Sequence, residues 1–134
     1  RETTPRYEAC VIALSYEHRE NLYRRIDGRV DEMLDQGLLN EVRGLLGMGL
    51  GREHTSMQAI GYKELTGVVL GEKSLGEAVE SVKMESRRYA KRQLSWLRRN
   101  TSAHWILWEK EPDFDNGLQI STGYLEEFGY NRAV

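Results

Sequence analysis

Residues 7–14 (Tyr-Glu-Ala-Cys-Val-Ile-Ala-Leu) form a short, mostly apolar run, the pattern of a strand buried on both faces. The period then changes. Leu22, Ile26, Val30, Met33 and Leu34 recur at helical spacing, which predicts a helix of about five turns entered from residues 15–18 and stopped at Gly37. A shorter helix is expected over 40–46, with Val42, Leu45 and Leu46 inward, followed by a glycine-rich loop over 47–55. Thr55 or Ser56 can cap a third helix reaching about Leu70, with Gly61 inside it, where glycine costs about 1 kcal/mol relative to alanine and usually permits close packing. Ser74 stands three residues before Glu77, the spacing of a capping box, and predicts the start of the longest helix, to about Arg99. Residues 104–108 (His-Trp-Ile-Leu-Trp) read as a second short strand, 109–117 as an acidic linker, and 124–128 as a short terminal helix.

Two strands with helices between them describe an α/β arrangement that is mostly helical. An open sheet of this kind usually has about five or six strands, so the remaining strands are expected upstream. The chain begins Arg1-Glu2-Thr3-Thr4-Pro5, without an initiator methionine, which agrees with that expectation. The natural division is 1–108 as part of a core and 109–134 as an appended acidic segment.

Composition narrows the function classes. The 134 residues carry 19 basic and 21 acidic side chains, a net charge of −2, and no apolar stretch approaches the roughly 20 residues needed to span a bilayer. The single cysteine cannot close an internal disulfide, and three histidines with one cysteine make no zinc-spaced cluster. A cytoplasmic setting without a membrane partner is expected.

The near-neutral total hides a local excess. From Lys83 to Arg99 there are seven basic residues against one acid, Glu85, a local charge of +6, which leaves −8 on the rest. At about 100° per residue, Val79, Val82, Ser86, Tyr89, Ala90, Gln93, Trp96 and Leu97 share one stripe and the basic residues from Arg87 onward lie opposite. Such a run is usually a solvated face, but a merely solvated helix tends to mix signs. Contact with phosphate or nucleic acid is therefore weighed equally. Ser86 and Gln93 within the inward stripe need hydrogen-bond partners, either backbone or ligand. Trp96, Trp105 and Trp108 are expected in the core. Arg25 and Arg29 form a second anion candidate, four residues apart, although Glu32 could simply pair with Arg29. No GxxxxGK[ST] phosphate loop, metal-ligand cluster or nucleophile triad is present, so no self-contained active site is expected.

Several blocks in one order carry a more specific signal. Residues 22–34 (Leu-Tyr-Arg-Arg-Ile-Asp-Gly-Arg-Val-Asp-Glu-Met-Leu), Gln36-Gly37-Leu38, Glu41-Val42, Gln58-Ala59-Ile60-Gly61-Tyr62-Lys63-Glu64 and residues 88–98 (Arg-Tyr-Ala-Lys-Arg-Gln-Leu-Ser-Trp-Leu-Arg) closely resemble the C-terminal half of bacterial tRNA dimethylallyltransferases, of the IPP transferase family. The resemblance runs from about Pro5 to Trp108. It implies a P-loop NTPase-like α/β fold and transfer of a dimethylallyl group from dimethylallyl diphosphate to the exocyclic amine of the adenosine beside the anticodon. It also implies Mg²⁺, held mainly by an N-terminal half that carries the diphosphate loop and general base. The partners implied are that N-terminal half, dimethylallyl diphosphate and the tRNA anticodon stem-loop.

By position, Arg29 matches the family's arginine near the diphosphate, and Arg25, one turn earlier, is a candidate support for it. Glu53, His54, Thr55, Ser56, Met57 and Gln58 match one tRNA-contacting segment. Ser86, Arg87, Arg88, Tyr89, Ala90, Lys91, Arg92 and Gln93 match a second. No metal ligand is assigned in this chain. Two other readings remain open here: an adenylate isopentenyltransferase acting on free nucleotides, and a non-catalytic helical RNA-binding module.

Overall fold

The two short strands meet across almost the whole length of the chain. In a computed structural model, which describes residues 8–129, β1 (Ile12–Tyr16) and β2 (His104–Trp108) pair in parallel, with Ile12 opposite His104 and Tyr16 opposite Trp108. Between them lie α1 (Arg19–Asp35), α2 (Leu38–Gly47), a 3₁₀ turn (Thr55–Gln58), α3 (Tyr62–Val69) and α4 (Leu75–Arg98), and α5 (Phe114–Phe128) follows β2. Mostly helical structure around two parallel strands is the fold class that the sequence implied. The chain divides into two units, Arg1–Leu22 with Gln93–Val134 and Tyr23–Arg92.

In the first unit, β1 sits further along the chain than the run at 7–14 suggested. Tyr7 lies outside the described residues. The strand extends through Ser15 and Tyr16 because their backbones find partners in Leu107 and Trp108, and hydrogen-bond pairing rather than apolarity sets a strand's end. Nor is β1 buried on both faces: Ala13 and Ser15 are buried, whereas Leu14 is 59% exposed. The reason is its company. Ile12, Leu14, Ile106 and Trp108 share one face, and α5 packs there against the β2 side chains, with the Phe114 ring edge-on to Trp108 at 6.3 Å. Tyr124 donates to the Trp105 carbonyl at 2.9 Å and its ring lies 4.5 Å from His104.

α5 is a fifteen-residue helix, three times the length expected, and it begins inside the supposed linker. Asp113 explains this. Its side chain accepts from the Asn116 amide at 3.1 Å, a helix N-cap that the acidic composition of the segment concealed. The helix ends at Gly129, in the left-handed region at φ 108°.

The second unit holds a core of Val42, Met57, Leu65 and Ala78, flanked by leucines of α1 and α2. Burying each large apolar side chain there contributes about 1.5–3 kcal/mol. Here the expectation of one continuous helix over 55–70 fails at Gly61. That residue takes φ 99° and ψ −57°, outside helical geometry, so it separates the 3₁₀ turn from α3 rather than packing inside a helix. Downstream, the Ser74 hydroxyl accepts from the Glu77 amide at 3.2 Å, as the spacing predicted, and α4 follows.

Candidate functional site

The candidate residues fall on three surfaces, all but Gln93 within the Tyr23–Arg92 unit, and ion pairs decide which of them are available. On α1, Asp27 and Asp31 are four apart and share a face. Both carboxylates engage α4: Asp27 takes Arg87 at 2.9–3.0 Å through both oxygens, and Asp31 takes Lys83 at 3.0 Å. The Asp31 hydrogen bond raises the Lys83 pKa, keeping that ammonium charged. Arg25 and Arg29 lie about 200° around the helix from these acids. Both arginines are exposed, and among the described residues neither has an ion-pair or hydrogen-bond partner. Glu32 does not pair with Arg29, so the simple explanation for that arginine falls away.

The second surface is the loop 51–58. Gly51 donates its amide to His54 Nδ1 at 3.0 Å, the His54 amide donates to the Gly51 carbonyl at 3.0 Å, and Gln58 Nε2 reaches the Arg52 carbonyl at 3.3 Å. The Glu53 carboxylate stands 3.3 Å from the same His54 nitrogen. Arg52 is held in turn by Glu72 in a fork-to-fork ion pair, whose hydrogen bond lowers the Glu72 pKa. Glu53, Thr55, Ser56 and Gln58 are exposed. Met57 is not: at 1% exposure it belongs to the core, and its side chain serves as the anchor of the loop.

The third surface is α4. The run of positive charge is less free than its composition implied, because Lys83 and Arg87 find partners on α1 and Arg88 and Arg92 find theirs within α4 itself. Lys83 and Arg87 are tied to α1, Arg88 pairs with Glu85 at 3.1 Å, and Arg92 stacks 5.9 Å from the centroid of the Tyr89 ring. Arg87 also lies 5.9 Å from the Tyr23 ring centroid. Lys91 has no partner among the described residues. Ser86 and Ala90 are half-buried. Val82 is buried and Val79 and Leu97 are half-buried, but the remainder of the expected inward stripe turns outward: Tyr89 is 52% exposed, Trp96 is 65% exposed and Gln93 is exposed. Periodicity identifies which side chains share a face but not whether anything covers it. Of the three tryptophans assigned to the core, only Trp108 is buried; Trp105 is half-buried and Trp96 belongs to the surface.

No hydrogen bond or ion pair among the described residues joins Arg25 or Arg29 to either of the other two surfaces. The sequence reading missed Asp27 and Asp31, whose i,i+4 spacing was available as a signal, and it missed Glu64. The last is a carboxylate 2% exposed whose Oε2 accepts the Gly61 amide at 2.7 Å. Gly61 and Glu64 stand at the N-cap-to-N3 spacing of a helix start, which the reading of Gly61 as a mid-helix residue hid.

The described residues thus define a helical segment with an exposed arginine pair, a braced polar loop and a partly neutralised basic helix. A protein-family model described as IPP transferase matches residues 1–100, and the chain belongs to that family. The tRNA dimethylallyltransferase of Acetivibrio thermocellus is 42% identical over 132 residues, covering 96% of this chain and 41% of that protein. That of Geobacillus kaustophilus is 52% identical over 100 residues, covering 75% of this chain and 31% of that protein. Among solved structures, the full-length tRNA isopentenylpyrophosphate transferase from Bacillus halodurans superimposes with a TM-score of 0.77 at 40% identity, over 88% of this chain and 39% of that one. The tRNA delta(2)-isopentenylpyrophosphate transferase of Staphylococcus epidermidis gives 0.75 at 43% identity, over 88% and 37%. This chain therefore spans between 31% and 41% of the length of these relatives. Among the described residues, no helix is long and apolar enough to cross a membrane.

Proposed function

We propose that this chain is the C-terminal part of a tRNA prenyltransferase that moves a dimethylallyl group from dimethylallyl diphosphate to the exocyclic amine of the adenosine beside the anticodon. The observation that carries the reading is the match of residues 1–100 to the IPP transferase family, with relatives named for that activity. In the reaction the amine nitrogen bonds to the allylic carbon while the carbon–oxygen bond to diphosphate breaks. The electron pair leaves on the diphosphate, and the amine proton passes to a base outside this segment.

Arg29 suits the departing charge, because an exposed guanidinium without an acidic partner can be spent entirely on an anion. Arg25, on the same face one turn earlier, supports it. Glu53 to Gln58 and Ser86 to Gln93 form the tRNA grip, in which Arg88, Lys91 and Arg92 contact phosphates and so fix register. The acceptor base leaves its stack to enter the pocket. Residues 1–108 belong to the catalytic core, and 109–134 are appended to it.

The family's Mg²⁺ does not fit the donors of this segment. Among the described residues no three carboxylate, imidazole or thiol groups converge. Its ligands are assigned to the remainder of the protein, together with the phosphate loop and the general base, and the segment alone is expected to be inactive. The deciding experiment presents a full-length protein carrying this segment with an anticodon stem-loop and AMP as competing acceptors. Prenylation of the stem-loop supports the reading, and preference for AMP would replace it with an adenylate isopentenyltransferase.

A further inference from the structure

Glu64 is a carboxylate that the proposed chemistry does not use, placed where a charged group is costly. It is 2% exposed, and a buried ionised side chain persists when it is paired or hydrogen-bonded. One oxygen, Oε2, accepts the Gly61 amide at 2.7 Å. The other, Oε1, has no hydrogen-bond partner among the described residues, and the Lys63 ammonium stands 3.8 Å from it. The amide it holds belongs to a residue at φ 99°, so the carboxylate stabilises a turn that only glycine adopts without strain.

That turn closes the loop carrying the first proposed tRNA segment. Met57, in the core, and Gly61, held by Glu64, are two fixed points with three residues between them, and upstream the loop is braced by the Gly51–His54 and Gln58–Arg52 bonds. Releasing the Gly61 amide would remove one of the ties at the downstream end of Glu53–Gln58, leaving the Met57 anchor, the Gln58–Arg52 bond and the bond from the Lys63 amide to the Ala59 carbonyl. We propose that Glu64 is a positioning residue which, through the Gly61 amide, sets the conformation of Glu53–Gln58 and thereby the affinity for tRNA. This rests on the assignment of that segment to tRNA made above.

The test uses a full-length enzyme carrying this segment and an anticodon stem-loop RNA. Glu64→Ala is expected to raise KM for the RNA by about tenfold or more, with kcat at saturating RNA and KM for dimethylallyl diphosphate within about twofold. Glu64→Gln keeps an oxygen that can accept the Gly61 amide and should restore the RNA KM to within about threefold of the parent. Where Glu64→Ala does not fold, Gly61→Ala breaks the same turn through its positive φ and should give the same selective rise. An unchanged RNA KM in the folded variant, or a parallel loss in both KM values and kcat, overturns the proposal. Hydrogen exchange at 53–58 separates this from the parent reading. Faster exchange in the variant supports the positioning role even if the unmodified enzyme never prenylates the stem-loop, an outcome that would sink the functional assignment instead; unchanged exchange overturns the positioning role.

Discussion

Arg87 and Asp27, sixty residues apart in sequence, form an ion pair in which one guanidinium nitrogen meets both carboxylate oxygens at 2.9–3.0 Å. Each side chain is about one-third exposed, at 31% and 32%, so the pair is screened less than a surface contact. Charge-assisted bonds of this kind are worth about 1.5–3 kcal/mol when well buried, and partial exposure brings the expectation for Arg87→Ala to about 1–2 kcal/mol of stability. A double-mutant cycle with Asp27→Asn, read by chemical denaturation, should return most of that as coupling energy. Additive effects would show that the pair contributes little.

Arg29 has the opposite setting. Without a partner among the described residues, Arg29→Ala should change stability by no more than about 0.5 kcal/mol. Prenyl transfer, in contrast, should slow on the order of a hundredfold while tRNA affinity stays close to that of the parent. Single-turnover kinetics alongside a binding titration check both halves. Unchanged turnover would remove Arg29 from the diphosphate.

The α4 grip is an electrostatic claim and carries a salt signature. Replacing Arg88 and Arg92 together by alanine should weaken tRNA binding and lower the slope of log affinity against log salt by roughly one to two units, about 0.7–0.9 for each phosphate that is no longer neutralised. Arg88 already shares its charge with Glu85, so Arg92 should account for the larger part. An unaltered slope would return this face to ordinary solvation.

Glu72 supplies a pH test of the loop brace. Its hydrogen bond from Arg52 lowers its pKa. A carboxyl group lowered in the folded state contributes stability above the ordinary carboxylate range and loses it as pH falls through the lowered value. The Arg52–Glu72 tie should thus be unchanged through neutral pH and weaken only in acid below the range of free glutamates. Carboxyl-carbon NMR should show Glu72 titrating below its unpaired neighbours, and Arg52→Ala should return it to the usual range.

Gly117 tests the docking of α5. In a helix interior, glycine to alanine ordinarily gains about 1 kcal/mol. Here a Cβ would stand 2.5 Å from Cη2 of the Trp108 ring, a rigid group that cannot move aside like a flexible chain end. Overpacking of that kind costs about 1–3 kcal/mol, so Gly117→Ala is expected to be net destabilising. Thermal melting and tryptophan fluorescence would register the displaced ring, and a stabilised variant would place α5 elsewhere.

Local pattern in the sequence was sufficient for much of this protein. Helical spacing located α1 and α4, the Ser74–Glu77 spacing located the start of α4, and the ordered blocks between residues 22 and 98 pointed to the family. These features depend on interactions within a turn or two of chain, which is the range that spacing encodes. Tertiary structure decided the rest. Pairing with β2 moved β1 forward, the positive φ of Gly61 split one expected helix in two, and Asp113 capped a helix inside an apparent linker. It also decided which cations are free. Lys83 and Arg87 look as available as Arg92 along α4, yet acids of α1 more than fifty residues upstream engage them, while Arg25 and Arg29, on the far side of α1, have no partner among the described residues. Charge in a sequence is a property of each residue, whereas its availability to a ligand depends on what folding brings within about 4 Å of it.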